Sequence, residues 1–110
     1  MIKATIYLNQ NHVYTGFDIC GHAGYSEEGS DIVCAAVSAL VINTINAVEA
    51  FTEEETSCKS REDTGEILYR IKGNPTHDTQ LLLNTMVLGL KSMEDNSEYE
   101  PYIDIIFKEV

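Results

Sequence analysis

The segment 32–51 contains mostly apolar residues that recur every three or four positions, which is the period of a helix with one buried face. The residues on this face are Val33, Val37, Leu40, Val41, Thr44, Val48 and Phe51. Ser30 or Asp31 can cap the N-terminus of this helix. A second pattern of the same period follows the candidate caps Thr76 and Asp78, and it contains Leu82, Leu83, Met86, Val87, Leu90 and Met93. Two one-sided helices need an apolar surface on which to pack.

Four other segments alternate apolar and polar residues, which is the period of a half-buried strand. Their inward positions are Ile2, Ala4, Ile6 and Leu8; Val13, Thr15, Phe17 and Ile19; Ile67, Tyr69 and Ile71; and Ile103, Ile105 and Phe107. Residues 56–61 are a weaker candidate for an edge strand. The order ββαβαβ predicts an α+β fold, a two-layer α/β sandwich with both helices on one face of a mostly antiparallel four-stranded sheet. The other face of the sheet is then open to a partner chain.

Length and charge limit the kind of protein. The 110 residues are enough for one hydrophobic core, and we expect a single domain spanning 1–110. The net charge is −11, from 18 acidic against 7 basic residues. Such a surface repels nucleic-acid phosphates and attracts basic proteins, so we expect a basic protein partner and no direct contact with nucleic acid.

The cysteines and the apolar runs indicate the compartment. The chain has an odd number of cysteines, Cys20, Cys34 and Cys58, and their spacing does not match a disulfide framework. We expect no apolar run of the roughly 18 residues that a membrane span needs, and the N-terminus alternates like a strand rather than a signal peptide. These features predict a cytoplasmic protein with reduced thiols and no membrane segment.

The segment GHAGYSEEGSDIVCAAVSAL sets His22 in a glycine-rich stretch and Cys34 near the start of the first helix. A cysteine attacks as its thiolate, which is favoured by a neighbouring histidine or by a position in the first turn of a helix. With Asp31 as the N-cap, Cys34 is the third helical residue, and the free N–H groups of that turn can also stabilise an oxyanion. This pattern predicts a thiol nucleophile, Cys34, with His22 as its base.

Other residues of the segment are candidates for supporting roles. Asp31 can orient His22, and Ser38 lies one helical turn beyond Cys34 on the same face. The glycines Gly21, Gly24 and Gly29 predict a flexible loop in which backbone can approach a ligand closely.

Three other interpretations of the same residues stay open. Cys34 can be an inert buried cysteine, since its neighbours in the sequence are apolar. A zinc site of Cys20, His22 and Cys34 lacks a fourth ligand with suitable spacing. A phosphate-binding loop lacks the lysine of that motif and contains Glu27 and Glu28, which repel phosphate.

Residues 21–38 read GHAGYSEEGSDIVCAAVS. This string resembles the signature of the ribosomal-processing cysteine protease family, which has GHA, a short loop and then GxDIVCAAxS. The resemblance implies a homodimeric endopeptidase that needs no metal or cofactor. It also implies that the enzyme removes a short N-terminal extension from large-subunit ribosomal protein twenty-seven and thereby supports ribosome assembly.

Carried over by position, the resemblance makes Cys34 the nucleophile and His22 the base, gives Asp31 and Ser38 supporting roles, and suggests a mobile loop between His22 and Ser30. The whole chain is then a single cysteine protease domain. The competing hypothesis is a non-enzymatic, ribosome-associated module that binds a peptide or assists assembly and keeps Cys34 buried.

Overall fold

The computed structural model describes residues 1–21, 28–61 and 63–110, and for residues 28–31 it describes the backbone alone. The elements follow the chain in this order: β1 (Ile2–Leu8), β2 (Tyr14–Cys20), α1 (Glu28–Phe51), β3 (Thr56–Arg61), β4 (Glu66–Ile71), α2 (His77–Glu94), a short 3-10 turn (Glu100–Tyr102) and β5 (Ile103–Glu109). Two helices and the four strongly alternating strands are therefore confirmed.

The sheet has five strands in the order β3-β4-β2-β1-β5, so the prediction of four strands is wrong. The additional strand is β3, the weak edge candidate, which pairs with β4 along its whole length from Thr56 to Arg61. Its polar residues suit an edge strand, because one side of such a strand faces water. The sheet is mixed, since β1 pairs antiparallel with β2 but parallel with β5.

Both helices cover one face of this sheet, which we call the inner face. In the central strands, the alternate positions that point to this face are mostly buried, including Ile2, Ala4 and Ile6 of β1. They pack against two sets of helical residues, Val33, Val37 and Val41 of α1 and Leu83, Met86, Val87 and Leu90 of α2. The predicted two-layer sandwich is confirmed. The prediction that Phe51 lies on the buried face of α1 is wrong, because this last residue of the helix is 78% exposed.

The helix α1 starts earlier than predicted, at Glu28 instead of after Ser30 or Asp31. An acidic residue in the first turn stabilises a helix through the macrodipole, and Glu28 and Asp31 both suit that turn. The segment Ile32–Phe51 has a mean hydropathy of 1.8 and could cross a membrane by length and composition alone. The expectation that no such run exists is therefore wrong. Core helices of folded domains meet the same criterion, and the buried residues of α1 belong to the core described above.

A side chain of α2 fastens this helix to the start of β2. The Tyr14 N–H donates to Gln80 Oε1 at 2.8 Å, and Gln80 Nε2 donates to the Tyr14 carbonyl oxygen at 2.7 Å. The amide of Gln80 thus acts as a peptide group would in a neighbouring strand. The N-cap is Thr76, one of the two predicted candidates, and its hydroxyl accepts from the Thr79 N–H.

On the opposite side of the sheet, which we call the outer face, three polar side chains form a cluster. Asp18 accepts hydrogen bonds from the Tyr7 hydroxyl at 2.6 Å and from Arg70 at 2.7 Å. The Arg70 guanidinium also lies 4.4 Å from the centre of the Tyr7 ring. Burial alone would raise the pKa of Asp18, but the two hydrogen bonds outweigh burial and hold this pKa below its ordinary value.

We predict that Gln80→Ala lowers the free energy of unfolding by about 1 to 2 kcal/mol, because it leaves the half-buried N–H and carbonyl of Tyr14 without these partners. Asn84→Ala, at an exposed position of the same helix, is the control and should change stability by less than about 0.5 kcal/mol. Urea unfolding of both variants measures the difference. Equal stability of the two variants would contradict the role given to Gln80.

We also predict a pH dependence from Asp18. A carboxylate with a lowered pKa in the folded state stabilises the fold above its unfolded pKa of about 3.9, and this contribution is lost as the pH falls through the folded value. The difference in the free energy of unfolding between the wild-type chain and Asp18→Asn should therefore be largest at neutral pH and should shrink below about pH 4. Urea titrations at several pH values measure it, with Glu98→Gln as an exposed control. A stability difference that does not change with pH would contradict this prediction.

Candidate active site

Cys34 lies at the edge of the residues of α1 that pack on the sheet. It is half-buried and contacts the core beside Val33. Its side chain lines a cavity of about 230 Å³ between α1, the first residues of β1, the end of β2 and the turn before β4. The walls are mainly apolar and include Ile2, Ile19 and Ile67. The thiol therefore lies in a concave site large enough for a side chain of a bound peptide.

The position of Cys34 along the helix differs from the prediction. Because α1 begins at Glu28, Cys34 is its seventh residue and lies beyond the first turn, and Asp31 lies inside the helix instead of capping it. The unpaired N–H groups of a helix are the first four, which here belong to residues 28–31. The prediction that free N–H groups in the turn of Cys34 stabilise an oxyanion is therefore wrong.

Ser38 is one turn further along α1, as predicted, and it lines the same cavity as Cys34. It also borders a neighbouring depression of about 290 Å³ that extends past Ile42 to Ser60 and Arg61 on β3. Gly65 and Ile67 line both hollows. These two residues were not among the predicted site residues, because the pairing of β4 with β2, which sets Ile67 beside Ile19 of the cavity wall, brings them to α1.

Gly21 also lines the cavity, directly after β2. Its φ is +96°, and a Cβ at this position would overlap the carbonyl oxygen of Met1. Glycine is the residue that meets both conditions without strain. Of the other predicted loop residues, Gly29 lies in α1 instead of a loop, so the predicted loop cannot extend to Ser30. Gly24 and His22 lie outside the described residues, as does the side chain of Asp31.

The geometry also bears on the zinc interpretation. Cys20 belongs to the alternate positions of β2 that point to the outer face, whereas Cys34 lies with α1 on the inner face. The sheet therefore separates the two thiols. Within residues 1–21, 28–61 and 63–110, no group of three His, Cys, Asp or Glu side chains is arranged to hold a metal ion.

Comparisons with known proteins identify the family. The family model described as "Cysteine protease Prp" matches residues 1–104. The chain belongs to the cysteine protease Prp family. It is 32% identical over 108 residues to the ribosomal processing cysteine protease Prp of Staphylococcus aureus, and this match covers 98% of the chain and 100% of the relative. Membership in the Prp family makes the chain a cysteine peptidase, a hydrolase.

Two solved structures of Prp from S. aureus share the fold. The structure in complex with a covalently linked product peptide has a TM-score of 0.88 at 31% identity, and the structure with a substrate peptide has a TM-score of 0.90 at 30% identity. Each match covers 98% of this chain and 100% of the other. The five-stranded mixed sheet with two helices is thus the Prp fold, and those Prp proteins were captured with peptides bound.

We predict that Gly21→Ala lowers both stability and peptidase activity more than Gly73→Ala does. Both glycines have positive φ, +96° and +81°, so alanine is strained by about 1 kcal/mol or more at either position. A Cβ at Gly73 meets nothing within 4 Å, whereas a Cβ at Gly21 overlaps Met1 at the edge of the cavity. Thermal unfolding measures the loss of stability, and the rate at which a peptide substrate is cleaved measures the loss of activity. Equal losses in both variants would show that the contact with Met1 is unimportant.

Proposed function

We propose that this chain is a cysteine endopeptidase that removes the N-terminal extension of large-subunit ribosomal protein twenty-seven, with Cys34 as nucleophile and His22 as general base. The observation that carries the proposal is the half-buried Cys34 in an apolar-walled cavity of a Prp fold. Gly21, which lines the same cavity, directly precedes the proposed base His22 in the sequence. Ser38 borders the cavity as a hydroxyl available to the bound peptide, and Asp31 orients His22.

The proposed reaction uses the side chains alone. His22 takes the proton of the Cys34 thiol, and the thiolate attacks the scissile carbonyl carbon. The protonated His22 then gives its proton to the leaving amine as the peptide bond breaks, which leaves a thioester on Cys34. Water, deprotonated by His22, hydrolyses the thioester and restores the thiol. No metal or cofactor takes part in any of these steps.

The choice of substrate rests on the relatives and on charge. The S. aureus relative is named as a ribosomal processing protease, and ribosomal proteins are basic. A chain with a net charge of −11 attracts a basic protein and raises its local concentration. The apolar walls of the cavity favour an apolar side chain beside the scissile bond. We further propose that the protein acts in the cytoplasm as a homodimer.

We predict one defined N-terminal cut when the extended ribosomal protein twenty-seven is incubated with the reduced wild-type chain. Intact mass spectrometry identifies the cut. Cys34→Ala and His22→Ala should each lower the rate by at least about a thousandfold, since nucleophile and base act as a unit. Cys58→Ala, which changes an exposed free cysteine on β3, should cut at the wild-type rate.

The variants are checked for folding by circular dichroism before the comparison. Cutting that survives Cys34→Ala would refute the nucleophile. If the folded wild-type chain binds the extended ribosomal protein but does not cut it, the result would favour the non-enzymatic peptide-binding module instead.

A further inference from the structure

The depression beside the Cys34 cavity lies between α1 and the hairpin of β3 and β4. Its walls include Ile42 of α1 and Ser60 at the end of β3, neither of which borders the cavity. Three residues, Ser38, Gly65 and Ile67, border both hollows. The two hollows therefore share one border, and a peptide that fills the cavity reaches the depression with a neighbouring residue.

The strand register decides which side chains face the depression. Ile67 pairs with Ile19, which is buried on the inner face, and Ser60 is the cross-strand partner of Ile67. Directly paired residues have their side chains on the same face of a sheet, so Ser60 points towards α1. Arg61 and Glu66, which also border the depression, are the next pair, and their side chains point to the outer face. The strands therefore turn uncharged side chains towards the depression.

Ile42 leaves apolar surface open at this place. It lies one helical turn beyond Ser38, and 49% of it is exposed. An apolar side chain of a ligand that covers Ile42 removes this surface from water, which favours binding. A charged side chain would lose hydration there without gaining an opposite charge. The hydroxyls of Ser38 and Ser60 can bond to the backbone of the same ligand. The depression therefore suits an apolar side chain.

The position of the two hollows sets the spacing of the residues that fill them. Successive side chains of an extended peptide point to opposite sides, and residues two apart lie about 7 Å from each other on the same side. Two hollows with a common border on one surface can therefore hold residues two apart. The side chain between these residues points away from the protein.

We propose that the depression is a second side-chain subsite for the substrate and that Ile42 determines its specificity. The subsite takes an apolar side chain two residues along the peptide from the one in the Cys34 cavity. This inference rests on the proposed peptidase function and adds the kind of sequence that the enzyme selects. Ile42 contacts the substrate away from the scissile bond, so its effect is on KM and leaves kcat near the wild-type value.

The test uses synthetic peptides that span the cut in the extended ribosomal protein. Each of the four positions on either side of the scissile bond carries leucine in one peptide and alanine in another. The wild-type chain should prefer leucine at two positions that are two residues apart. Ile42→Ala should lower the preference for leucine about fivefold at one of these positions, through KM, and leave the other preference unchanged.

Two further variants make the comparison specific. Ser60→Phe fills the depression from the opposite wall at an exposed position of an edge strand, so it should also lower the leucine preference at the position that Ile42→Ala affects. Leu81→Ala is the matched control, because Leu81 is an apolar residue of α2 that is 57% exposed and borders neither hollow. It should keep both preferences. Circular dichroism confirms that each variant is folded.

Three results would overturn the subsite while leaving the peptidase intact. They are an unchanged leucine preference in Ile42→Ala, an equal loss at every position, and two preferred positions that are directly adjacent. A loss of preference in Leu81→Ala that equals the loss in Ile42→Ala would also overturn it. If the wild-type chain neither cuts nor binds any of the peptides, the proposed function fails, and the subsite fails with it.

Discussion

The packing of α1 on the inner face of the sheet determines where the thiol of Cys34 lies. Val33, Val37 and Val41 are almost completely buried against the strands, which fixes both the rotation and the depth of the helix. Cys34 follows Val33 directly, and Ser38 follows Val37, so both lie at the border of this buried surface. The same contacts that stabilise the fold therefore set the position of the proposed nucleophile, and a shift of the helix would move its thiol relative to the cavity walls.

The parts of the fold that depend on local sequence could be predicted. The alternation of β1, β2, β4 and β5 and the period of both helices are local patterns, and they identified the elements correctly. The pairing of β1 with β5 joins the two ends of the chain, and no local pattern records it. The strand β3 was hard to recognise for another reason, because an edge strand that buries little side-chain surface shows little alternation.

The site, too, has parts that local sequence predicts and parts that depend on tertiary contacts. The residue types around Cys34 identified the candidate nucleophile and Ser38, because the motif is continuous in sequence. The start of α1 was predicted from a capping residue, but a helix also accepts serine and aspartate within its first turn, so Ser30 and Asp31 did not mark the boundary. Gly65 and Ile67 reach the cavity through the pairing of β4 with β2, which joins residues distant in the sequence.

The charge distribution bears on the substrate proposed for this chain. Net charge sums over all surfaces, whereas association depends on the face that meets the partner. Most of the basic residues lie at outer-face positions of the strands, namely Lys3, Lys59, Arg61, Arg70 and Lys108. The remaining surface, including the helical side that bears Cys34, is therefore more acidic than the total of −11 indicates. The proposed basic substrate is therefore attracted to the side with the cavity.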